Sequence, residues 1–293
     1  MIKLLLQQVH FNNIAVGNEG GAAIRVTDSN RHLVVDFCSF VKCSSSGTGG
    51  AVRFETTGGR SEMFKICAFE CWGSQYSQFS IVSIGTGYEV NDLKEFSFMY
   101  CSPILSGNRR HSIRHNGGCL NIRNVNSTKN YLTEWTNGGL FYDISSFDIA
   151  YYQIADGKGD ISLQLGKGAN SLNIFSYGNF INNTIATQEL GLVSVQEGGN
   201  FTISNSVFLQ NNNICFFYSD TTRPYIINCW ISDSSKIGLS ATFINVKYNT
   251  ITILNKSPFY IFDKCNVLSI AFTKNVGNPR KLIFINVLIS ILV

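Results

Sequence analysis

Charge is what this chain has least of. Lys, Arg, Asp and Glu make up 14% of its 293 residues, well below the roughly 25% of an ordinary soluble domain. Ser, Thr, Asn and Gly must therefore supply the polar surface, and these residues favour turns and β structure over surface helices. The net charge of +4 is mild and by itself argues neither for nor against a polyanionic partner, since nucleic-acid binders concentrate basic residues on one face; no nucleic-acid partner is expected. Proline is scarce, at 4 residues against 26 glycines. No long stretch places apolar residues at i, i+3, i+4 and i+7 opposite a charged face, which excludes an architecture of amphipathic helices. Long hydrophobic runs are missing too. The opening MIKLLLQQ turns polar too soon for a signal-peptide core. The final LIFINVLISILV is apolar but only twelve residues long, 282–293, and a spanning helix needs about 20. It is expected to be a last core strand pair or a truncated membrane segment.

Aromatic and β-branched residues are plentiful, which suits strands. Cysteines number nine. That is an odd count, so at least one thiol is unpaired within a monomer.

Self-similarity organises the rest. VHFNN, SFVKC, AFEC and SFMYC place Phe11, Phe40, Phe69 and Phe98 at intervals of 29. NFINN with Phe180, SVFLQN with Phe208 and NCWISD with Trp230 continue the series. A glycine pair runs in phase, as Gly20-Gly21 in GGAAIRV and Gly49-Gly50 in GGAVRF, again 29 apart. SQFSIVSI fills the next slot without glycines, and NGGCLNI, NGGLFYDI, LGLVSVQ and NICFFYS read as later versions. The cysteines keep the same period: Cys38 and Cys67 are 29 apart, and Cys43, Cys71 and Cys101 are 28 and 30 apart. The repeat is clear over 1–101, blurred over 102–170 and weak over 171–265.

A period of this size means a stacked, quasi-one-dimensional fold. Within a period the pattern alternates every second residue, as at Ile161, Leu163 and Leu165, which is the signature of strands. Two or three short strands per period with no helix between them describe a parallel β-helix. The expectation is one all-β domain over 1–293, with about ten coils of roughly 22–30 residues and a rod of roughly 48 Å. Each slot stacks on its own equivalent, so the repeated aromatics form an inward column. Cys is a small hydrophobe that fits the same column. Solenoids hide their terminal edges under caps. Coil-like segments begin by residue 7 and the chain stops in an apolar run, so missing flanking regions are expected.

The pairing of GGA plus an aliphatic residue with F-x-x-N resembles the chlamydial polymorphic outer membrane proteins and their trichomonad-type protist relatives. GGAA at 20–23, GGAV at 49–52, FINN at 180–183 and FLQN at 208–211 carry the resemblance. FVKC and FMYC depart from it, with Cys where that family has Asn. The resemblance implies a right-handed parallel β-helix on a cell surface, used for adhesion or host interaction, without catalysis, with a host-cell or extracellular protein or glycan as partner. Membrane contact would come only through an anchor.

Candidate chemistry is sparse. A glycosidase needs two carboxylates facing each other across a sugar; the tightest acidic spacings are Asp143 with Asp148 and Asp156 with Asp160. ADGKGD at 155–160 fails the calcium-loop pattern and reads as a polar corner. A carbohydrate-active β-helix enzyme with an unrecognised site is the alternative function. Cys67-x3-Cys71 and Cys38-x4-Cys43 find no histidines in phase, so core thiols are expected over zinc. GTGGAV lacks the Lys-Ser/Thr of a phosphate loop, and no cofactor is expected. NRRHSIRHNGG is the most basic segment. Arg109, Arg110, His111, Arg114 and His115 are the expected ligand-binding loop, set between coils where the repeat blurs. Sequons at Asn126, Asn182, Asn200 and Asn255 permit glycosylation of a secreted chain.

Overall fold

The computed structural model describes residues 2–248, apart from 86, 88, 102–110, 133–134, 167–171, 186–189, 197–199, 214, 220–222 and 237–240, together with Cys265. The apolar end at 282–293 lies outside the described residues.

The chain winds as a right-handed parallel β-solenoid. Its second coil shows the plan. Arg31–Asp36 forms a first face, Ser39–Val41 a second, Ser44–Ser45 a short corner strand and Val52–Thr56 a third face. Every strand pair in the register is parallel; Arg60–Phe69, Val90–Met99, Cys119–Thr128 and Ser146–Ala155 stack in that order across the first and second faces. Ten strands line the first face and eight the third, so slightly fewer turns are closed than the ten expected. A three-residue 3-10 turn, Ser234–Lys236, is the one helical element among the described residues. No helix among them is long and apolar enough to cross a membrane.

Two backbone corners repeat in each coil. Gln8, Phe37, Lys65, Glu95, Asn124, Tyr151, Tyr177 and Asn205 all adopt left-handed φ near +50°. Five residues later so do Asn13, Lys42, Glu70, Tyr100, Lys129, Asp156, Asn182 and Gln210. Between the two corners the first and third residues face the core, as Cys38 and Phe40 do. A left-handed φ at a non-glycine residue is costly, and stacking offsets part of that cost. Lys42 meets Glu70 at 3.6 Å, the Lys129 ammonium sits over the Tyr100 ring, and Asn182 donates to Asp156.

The inward slots form the core. Phe11 lies over Phe40 with ring centroids 4.9 Å apart, and Phe180 over Phe208 at 4.8 Å. Those separations match the strand spacing, so in-register stacking positions the rings. Each fully buried Phe contributes about 1.5–3 kcal/mol by leaving water.

The residue after the second corner points inward as well. Asn183 donates from Nδ2 to the Ile154 carbonyl, and Asn211 donates to that of Phe180. Cys43 and Cys71 aim Sγ at the matching carbonyls of Phe11 and Phe40. F-x-x-N and F-x-x-C are therefore one slot with two donors.

Register corrects several sequence alignments. Phe40 pairs with Ala68, which pairs with Phe98; Phe69 stands one place later, opposite Val41 and Met99. Cys67 pairs with Ser39 rather than lining up with Cys38. Trp230 pairs with Val207, and Ile231 takes the Phe208 column. Each slip has one cause: coil lengths vary by a residue, and a one-residue shift turns a side chain to the other face. The Gly117-Gly118 pair turns the chain from the third face into Cys119–Thr128, the opposite end from Gly20-Gly21. The blurred region does not break the solenoid, because Cys119–Thr128 and Ser146–Ala155 pair at nine positions.

The thiols divide. Cys38, Cys43, Cys71, Cys101 and Cys229 are buried and free, as a core column requires, while Cys67 is bonded to Cys265.

Candidate binding groove

The third face offers a concave surface that gathers charged side chains from several coils. Val52–Thr56, Ser80–Ile84 and Ile113–Asn116 lie side by side, with Val52, Phe54, Val82, Ile84 and Ile113 buried inside. Alternation turns the residues between them outward. Arg25, Arg53, Ile81 and Arg114 fall in one outward column, and Glu55, Ser83 and Asn116 in the next. The corner loops ahead of these strands add Asn18, Thr48, Gln75 and Tyr76. With Arg53, Glu55, Ile81, Ser83, Arg114 and Asn116 they line a groove of about 620 Å³.

Stacking arginines in register is unfavourable unless acids intervene. Glu19 pairs with Arg25, and Glu55 takes the Nε and Nη2 hydrogens of Arg53 at 3.0 and 2.8 Å. Arg114 donates to the Asn116 side-chain oxygen at 3.3 Å and sits 5.5 Å from the Tyr76 ring centroid. Ile81, 5% exposed, floors the groove between the two guanidinium groups. Glu55 is the groove's carboxylate, and Arg53 holds it. The arrangement offers amides, hydroxyls, an aromatic ring and positive charge.

The expected ligand loop is split by the fold. Arg109 and Arg110 lie outside the described residues. Arg114 lines the groove. His111 is buried, its ring nitrogen 2.9 Å from the Thr136 hydroxyl. His115 is fully buried and faces inward, donating from Nδ1 to Asn91 Oδ1 at 3.1 Å. Burial pushes its pKa down to about 3, so it is neutral and structural. The segment is in part a third-face strand, not a loop, which corrects the sequence expectation for both histidines.

The acidic residues most closely spaced in the sequence are engaged elsewhere or lie apart. Asp148 points outward on the first face and is taken by Arg123, while Asp143 occupies a left-handed turn beyond the third face. Asp160 accepts from the Trp135 amide, as a polar corner should. Register creates a different carboxylate pair. Glu62 and Asp92 occupy neighbouring coils of the first face, bound respectively by Arg60 and His32 and by Lys94. Its members are 30 residues apart, one coil of the repeat. Among the described residues no cluster of His, Cys, Asp and Glu is arranged to hold a metal. Of the sequons, Asn126 is buried and bonded to Ser97, while Asn182 and Asn200 are exposed.

Comparison with protein-family models, curated proteins and solved structures finds no match for the chain.

Proposed function

We propose that this chain is a non-enzymatic interaction scaffold: a solenoid whose inward columns give stiffness and whose outward columns present side chains to a partner at a cell surface. The observation that carries the reading is the third-face groove. It gathers Arg53, Arg114, Tyr76 and neutral polar groups, and its carboxylate is occupied by an arginine. Such a surface recognises without supplying a free acid and base. The Cys67–Cys265 disulfide suits an oxidising compartment. The GGA and F-x-x-N resemblance to surface adhesins points the same way.

A second reading keeps a carbohydrate-active enzyme, and the Glu62–Asp92 pair on adjacent coils favours it. One experiment separates the two. The purified chain is coated on a surface to measure retention of cultured cells, and is incubated with soluble acidic and neutral polysaccharides to detect new chain ends. Retention without cleavage is the expected result. Cleavage that disappears in Glu62→Gln or Asp92→Asn would establish the second reading.

A further inference from the structure

We infer that the third-face groove binds an acidic oligosaccharide, laid along the solenoid axis with a carboxylate or sulfate on Arg114. The inference rests on the scaffold reading above and names its ligand class. Arg53 and Arg114 are two coils apart on one outward column, about 10 Å along the axis. A linear ligand on this column meets both cations with Ile81 beneath it. Tyr76, 41% exposed, stands at the wall and offers a ring face to a sugar. Asn18, Thr48, Gln75, Ser83 and Asn116 supply the amides and hydroxyls that a hydroxyl-rich ligand needs.

Other polyanions fit less well. A nucleic acid needs a broad basic face and several stacking rings, and this groove has one tyrosine and two arginines. An acidic peptide strand would seek an open sheet edge, and the interior strands here are hydrogen-bonded on both sides. A guanidinium planar fork meets carboxylate or sulfate directly; the two sources share that chemistry.

The test is calorimetric titration of the purified chain at physiological salt. Four probes are used: an oligogalacturonate, a heparin-derived oligosaccharide, a neutral cello-oligosaccharide and a single-stranded DNA oligomer. Binding of the oligogalacturonate or the heparin fragment, with the DNA and the neutral sugar weaker, is the expected result, and the stronger of the two tells carboxylate from sulfate. Arg114→Gln should weaken that binding at least about tenfold. Tyr76→Ala should weaken it several-fold, and Arg123→Gln on the first face should leave it unchanged. Tyr76 sits in a corner loop, so it remains informative if the Arg114 variant misfolds. Equal binding of DNA, indifference to both groove substitutions, or no binding of either acidic sugar would overturn the inference. The probes recovered afterwards are sized. Intact probes that never bound defeat the ligand class alone; cleaved probes defeat the scaffold reading together with the inference built on it.

Discussion

Asn183 shows how one side chain holds two coils together. Its Nδ2 donates to the Ile154 carbonyl and to Asn211, and its Oδ1 accepts from the Gly157 amide, all out of contact with water. Removing it leaves a buried carbonyl and a buried amide unpaired, at roughly 1–3 kcal/mol each. Asn183→Ala is therefore expected to lower unfolding free energy by about 2 kcal/mol or more in a denaturant titration. Asn183→Cys should cost less, because Cys43 and Cys71 fill the same slot elsewhere. His115 carries a second residue-scale consequence. Its pKa is about 3 in the folded chain against the ordinary 6.5. Below pH 6.5 the unfolded chain takes up a proton that the folded chain refuses until about pH 3. Stability contributed by the neutral ring is thus present above pH 6.5 and falls away as the pH drops through that window. A gap of that size is worth at most about 5 kcal/mol. Replacing the ring by Phe, which keeps the edge contact to Phe141, should flatten the pH dependence of stability between pH 6.5 and 3.

At the scale of the element, the left-handed corners define each strand. Lys65 is exposed and has φ +51°. Glycine there carries no Cβ penalty, so Lys65→Gly is expected to be neutral or stabilising by up to about 1 kcal/mol. Lys65→Val places a β-branched residue at positive φ and should destabilise by more than about 1 kcal/mol. Thermal melts of the two variants check the sign. These corners also explain what could be read in advance. The period and the strand type were visible because Phe11, Phe40, Phe180 and Phe208 mark the inward slot. The exact register was not, because Phe37, Lys65, Glu95 and Tyr100 occupy left-handed positions where a reader expects Gly or Asn. Phe69 then looked like a column member when it stands one place outside. The groove was legible only through Arg114. Arg53, Tyr76 and Arg114 come from three coils, and register alone brings them together.

For the whole molecule, the division between inside and outside has a chemical readout. Cys38, Cys43, Cys71, Cys101 and Cys229 are buried, and burial raises the thiol pKa of Cys38 to about 11 and of Cys229 to about 12. Only the thiolate reacts readily. Native-state alkylation followed by mass spectrometry should modify Cys119 and Cys215, which are half-buried, and spare those five until the chain is unfolded. The most direct test of the in-register solenoid is a pair of distances between spin labels on the first corner column. Gln8 and Tyr177 are exposed and six coil steps apart, and Lys65 and Tyr177 are four steps apart. With Cys119 and Cys215 replaced by Ser, labels at these positions should be about 29 Å and about 19 Å apart along the backbone. Distances that rise by about 4.8 Å per coil are the expected result; distances that do not grow with coil number would contradict the stacked architecture and the groove built on it.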